Sequence, residues 1–269
     1  MKISKSGSYY GEKSFEIRTS QFIISEYDYL EKSTPWHFHE NPYFMYVIEG
    51  NMLDINKKQK SICPAGSFLF HNWQDPHLNK KESYSARGFH IEFNRNWYKE
   101  RKLDLTLWEG STLLFNPKLH HLLGQLYYEF KCNDSSSLLS IELLLLQLCE
   151  HLEKDYVDEQ APKPNWIRDL KDILNDSSEG LTLAELSAHL GVHPVHLSRS
   201  IPKYFSTTLG DYIRQLKTKK AISHMMNSEH SLSDIAYLSG FADQSHFIRC
   251  FKKYMDTTPG NFRKKVNQG

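Results

Sequence analysis

Along the first third of the chain, apolar residues come in short bursts. From Ser14 to about Asn94 the runs "FEIRTSQFIISEYDYL", "YFMYVIEGNMLDIN", "SICPAGSFLFHN" and "SARGFHIEFN" are broken by turn residues, a texture that predicts a β-sandwich or barrel. From Leu103 to Lys154 the period changes. Leu119, Leu122, Leu123, Leu126 and Tyr127 recur at helical spacing, and Leu138 to Leu152 follows as a second, more apolar helix. Leucine on more than one side of that helix calls for cover by the β domain and a partner subunit, the alternative being burial within its own domain. Residues 155–165, "DYVDEQAPKPN", are polar and carry two prolines, and are read as a linker; the chain beyond it is helical in pattern.

Within that helical region a single plan occurs twice. In "LTLAELSAHLGVHPVHLSRSIPKYF", Thr182 and Glu185 form a capping-box pattern, Gly191 closes the helix, and Pro194 opens another. "SLSDIAYLSGFADQSHFIRCFKKYM" repeats this with Ser231, Asp234 and Gly240. Two short helices joined through a glycine turn make a helix-turn-helix. Between the two, Leu209, Tyr212, Ile213, Leu216, Ile222 and Met225 mark one amphipathic spacer helix of about 27 Å, which can set two recognition helices into successive major grooves about 34 Å apart.

Charge sharpens this division. Residues 1–160 hold 18 Lys and Arg against 22 Asp and Glu, while residues 161–269 hold 15 against 10, so the helical half suits a polyanion. Cys63, Cys132, Cys149 and Cys250 form no C-x-x-C pair, and "MKISKSGSYYGEK" has no apolar stretch. A reducing, cytoplasmic setting without a secretion signal or membrane span is expected.

Leu181 to Lys264 resembles the DNA-binding domain of AraC/XylS-type transcriptional regulators, with "LTLAELSAHLGVHPVHLSRSIPKYF", "LGDYI" and "DIAYLSGFADQSHFIRCFKKYMDTTPGNFR" in family order. The resemblance implies an α+β protein of two domains: an N-terminal cupin-like β-barrel with two following helices (1–154), then the linker, then an all-α domain with two helix-turn-helix units (166–269). Carried over by position, base-reading residues are Val195, Ser198 and Arg199 in the first unit and Gln244, Ser245, His246 and Arg249 in the second. An arginine fork can donate to both O6 and N7 of guanine. Lys203, Lys252 and Lys253 are placed at phosphates, with a solvated helix face as the plainer alternative for each. Pro202 departs from the pattern and is expected to end or bend the first recognition helix near Ser198, or to cap a distortion in it.

The remaining chemistry lies in "PWHFHENPYFMYVIEG". On a strand, His37 and His39 face one side, and His77 follows later. Cupin enzymes place a carboxylate where this chain has Tyr43, which weighs against a metal-dependent enzyme. The preferred expectation is an effector pocket lined by Trp36, His37, His39, Tyr43, Tyr46, Trp73 and His77, holding no metal or cofactor. The chain is thus expected to be a homodimeric regulator and not an enzyme. It would bind duplex DNA and a small effector such as a sugar or another metabolite, with RNA polymerase as a further partner. Two alternatives are a cupin enzyme fused to a DNA-binding module and a constitutive regulator whose barrel only dimerises.

Overall fold

The computed structural model describes residues 2–101, 110–176 and 181–267. It divides into two compact units, Met1–Phe115 with Leu126–Tyr156, and Asn116–Gln125 with Val157–Gln268. Some of the helical stretch expected from residue 103 falls on 102–109, outside the described residues.

The strands are β1 (Lys2–Ser4), β2 (Glu12–Arg18), β3 (Phe22–Asp28), β4 (His37–His39), β5 (Tyr43–Glu49), β6 (Asn51–Asn56), β7 (Lys60–Pro64), β8 (Phe68–His71), β9 (His77–Lys81), β10 (Arg87–Phe93) and β11 (Ser111–Leu113). They form two open sheets, ordered β1-β4-β9-β6-β7 and β11-β8-β5-β10-β3-β2. The expected cupin-like barrel is therefore incorrect. Most connections carry the chain from one sheet to the other, as at Gly50 (φ 82°) between β5 and β6, and among the described residues no ladder joins the sheet edges. Alternating apolar residues satisfy a closed barrel and two packed sheets equally well, so the pattern could not separate them.

Strand alternation splits β5 between two layers. Tyr43, Met45 and Val47 point into a core shared with Met52 and Cys63 of the other sheet. Phe44 turns the opposite way, against Phe68, Phe70 and Phe93. After the short helix α1 (Arg95–Glu100) comes α2 (Pro117–Cys132), whose second half lies on that outer face with Tyr127 and Phe130 packed on Phe89. Glu26, buried on β3, accepts from the Tyr127 hydroxyl at 3.1 Å and pairs with Lys131 at 2.8 Å, so its charge is compensated.

α3 (Ser137–Gln160) buries Ile141, Leu145, Leu148 and Leu152 but leaves Leu138, Leu139 and Leu143 exposed. It extends through the first six residues of the expected linker, because only Pro162 and Pro164 prevent continuation.

The second unit continues with α4 (Asn165–Asp176), α5 (Leu183–Leu190), α6 (Pro194–Phe205), α7 (Leu209–Asn227), α8 (Leu232–Leu238), α9 (Gln244–Met255) and α10 (Pro259–Val266). Ile167, Leu170, Leu186, Leu197, Ile201 and Phe205 build one core with Tyr212 and Leu216 of α7. Phe241, Phe247, Phe251 and Phe262 meet in sequence, tilted or edge-to-face, to form the other. At 19 residues, about 28 Å, α7 serves both cores.

Candidate nucleic-acid interface and histidine cluster

Both helix-turn-helix units are fixed locally. The Thr182 hydroxyl accepts from the Glu185 amide while the Glu185 carboxylate accepts from the Thr182 amide; Ser231 and Asp234 repeat the exchange. Each satisfies two amides that a helix start leaves without partners. Gly191 takes the left-handed conformation at φ 62°, and Gly240 does so at φ 80°. The second helix of each pair then buries one stripe, Leu197, Ile201 and Phe205 in α6 and Phe247, Cys250, Phe251 and Met255 in α9.

Opposite those stripes, Val195, Ser198, Arg199 and Lys203 are exposed on α6, and Gln244, Ser245, Arg249, Lys252 and Lys253 on α9. His246 is half-buried, edge-on to Phe241. Gln244 accepts from Ser233 of α8 at 2.9 Å, which orients its amide. Lys253 differs from the other lysines, since its ammonium is 2.7 Å from the Asp211 carboxylate of α7. Burial alone would raise the Asp211 carboxyl; hydrogen bonds from Lys253, Gln215, Tyr254 and Arg214 pull it well below the usual carboxylate range. Lys253 is thus tied into the protein's own ion-pair network.

Pro202 does not stop α6. The helix runs on to Phe205 with Pro202 on its exposed side, so the bond missing to the Ser198 carbonyl lies toward solvent, which can replace it. Residues 116–125 of α2 also belong to this unit. His121 Nε2 donates to the Gln215 carbonyl at 3.0 Å, and its ring stacks on Tyr254.

In the N-terminal unit, β4 and β9 pair with His37 directly opposite His77, and His39 follows two residues along on the same face. All three are buried. Tyr43 reaches across from β5 to donate its hydroxyl to His77 Nε2 at 3.0 Å. The other expected lining residues do not join them. Tyr46 is an odd number of positions from Tyr43 and so points to the far side of β5, beside Phe68. Trp36 is 40% exposed, and Trp73 lies under the Arg95 guanidinium.

Residues absent from the expected set complete the cluster. His71 stacks on Tyr43 at 4.6 Å, and His90 stacks on Tyr9 at 3.9 Å and meets the Tyr29 hydroxyl at 2.7 Å. Asp54 accepts from Asn79 and stands 3.8 Å from His71. The one signal for them in the sequence is polar residues alternating with apolar ones, as at His90 and Glu92 in "GFHIEF". Burial lowers all five imidazoles: His71, His77 and His90 fall to about 3, and His37 and His39 also lie below the ordinary value. The cluster is therefore neutral imidazole at pH 7, rich in unshared nitrogen lone pairs. Burial lifts Asp54 to about 6.

A family described as "Helix-turn-helix domain" matches residues 186–265. The probable transcription factor PqrA of Proteus vulgaris is 33% identical over 87 residues, which are 32% of this chain and 71% of PqrA. The bifunctional transcriptional activator/DNA repair enzyme AdaA of Bacillus subtilis is 30% identical over 40% of this chain and 51% of its own. The transcriptional activator RhaS of Klebsiella pneumoniae is 25% identical over 55% of this chain and 54% of its own. The chain thus spans about half the length of AdaA and RhaS.

Proposed function

Because the chain belongs to the AraC/XylS-type helix-turn-helix transcriptional regulators and is not an enzyme, we propose that it reads a bipartite DNA site through α6 and α9 under control of an effector held in its N-terminal unit. The observation that carries this reading is the pair of capped helix-turn-helix units, each presenting its own exposed arginine, Arg199 and Arg249. Arg249 is assigned to a base edge, with Ser245 and Gln244 beside it; Arg199, Ser198 and Val195 read the other half-site. Lys203 and Lys252 supply phosphate contacts, whereas the Asp211 pairing of Lys253 favours a structural role for that residue.

The effector is assigned to the neighbourhood of His37, His39, Tyr43 and His77, where tyrosine rings pack against a few convergent polar groups. The exposed leucines 138, 139 and 143 of α3 support a homodimer formed through that helix. RNA polymerase is the expected further partner of a DNA-bound regulator.

Selection of duplexes by the full chain from a random pool tests the DNA reading. Two recurrent half-sites about 34 Å apart, bound with an affinity that falls steeply with salt, are expected. Recovery of unselected sequence would reject it. Light scattering of the full chain checks the dimer: two chains are expected, and one chain in a Leu139→Glu, Leu143→Glu variant.

A further inference from the structure

We propose that His37, His39 and His77 form a site for one divalent transition-metal ion of the kind that prefers imidazole, such as zinc, cobalt or nickel. The three rings come together because the β4–β9 register sets His37 opposite His77 and strand alternation places His39 on the same face. One ligand nitrogen from each lies within 4.8 Å of the others. Tetrahedral coordination at a Zn–N distance of 2.0–2.1 Å puts such nitrogens about 3.3 Å apart. Closure therefore needs no more than about 1.5 Å, shared among three side chains.

The proton positions fit as well. A carbonyl oxygen only accepts, so Nδ1 of His37, 2.9 Å from the Pro35 carbonyl, carries a proton. The same holds for Nδ1 of His77, 2.9 Å from the Asp75 carbonyl. In neutral imidazole this leaves both Nε2 atoms unprotonated, that of His77 accepting from the Tyr43 hydroxyl. Anchoring the distal N–H on a carbonyl is how outer partners orient metal-bound histidines. His39 Nδ1 is buried without a hydrogen-bond partner, an arrangement that is unfavourable unless something binds it.

A metal at His77 Nε2 displaces the Tyr43 hydroxyl, which then stands beside the open fourth position. The carboxylates of Asp54 and Glu92 lie behind the neighbouring rings: Asp54 faces His71, and Glu92 accepts from Tyr9, which stacks on His39. They offset the added charge. An all-nitrogen set excludes magnesium and calcium, which take oxygen ligands.

The inference rests on reading this cluster as the sensing site, and names the effector class. The full chain, stripped with chelator, is titrated with Co²⁺ and followed by its visible absorption, then with Zn²⁺ by metal analysis after gel filtration. One equivalent per chain and tetrahedral cobalt bands are expected, lost in His39→Ala and His77→Gln and kept in His230→Ala. Should a triad variant fail to fold, the stripped wild type must still gain melting temperature with Zn²⁺ and not with Mg²⁺. Substoichiometric metal, or bands retained in both triad variants, overturns the site. Affinity for the selected duplex, measured with and without Zn²⁺, separates the two readings. Salt-dependent DNA binding with no metal uptake overturns the metal site alone; metal uptake with unchanged DNA affinity upholds the site and overturns its role as effector.

Discussion

In the N-terminal unit five histidines lie inside the protein, whereas in the C-terminal unit the arginines assigned to DNA lie outside it. The buried imidazoles are held neutral by loss of water, so their chemistry is lone-pair donation. Arg199 and Arg249 instead stand in solvent on the exposed faces of α6 and α9. One unit encloses its polar groups, and the other presents them at its surface. The contrast also separates how each fails: the cluster through protonation, the helices through loss of packing or of single contacts.

Acid makes the sharpest division. His71, His77 and His90 have folded values near 3 against about 6.5 when unfolded, so the unfolded chain takes up protons first as pH falls. The stability they contribute is complete above about pH 6.5 and is lost as pH falls toward 3. At pH 5 each loses about 2 kcal/mol. Asp54, raised to about 6, has the opposite sign and returns about 1 kcal/mol at that pH. Hydrogen exchange at pH 7 and pH 5 should show the β strands opening well before α5–α9; equal loss in both units would remove the contrast.

Phe247→Ala should cost about 3–5 kcal/mol by denaturant unfolding, because its ring is fully buried between Phe241 and Phe251. Arg249→Ala should leave folding unchanged and remove about 1–3 kcal/mol of discrimination at one base pair, read by competition between the selected duplex and its single-base variants. Smaller still, Thr182→Ala should cost about 1 kcal/mol of stability by removing the α5 cap. Lys252→Ala should weaken every duplex alike and reduce the salt slope by about 1, whereas Lys253→Ala should leave that slope unchanged because Lys253 is held by Asp211.

By itself the sequence determined the helical half, including both capping boxes, both glycine turns, the buried stripes and therefore which faces of α6 and α9 are exposed. Each is a relation within one or two turns, and a 3.6-residue period writes such relations directly into the chain. Pro202 was the exception. Its local rule predicts a break, but its exposed position lets α6 continue. In the β half, the strands and the His37–His39 face were legible for the same local reason. Only the tertiary structure decided that the sheets stay open, that Tyr46 and Trp73 leave the cluster, and that His71, His90 and Asp54 join it. Those outcomes depend on which strands pair across long separations, and alternation alone carries no record of a strand's partner.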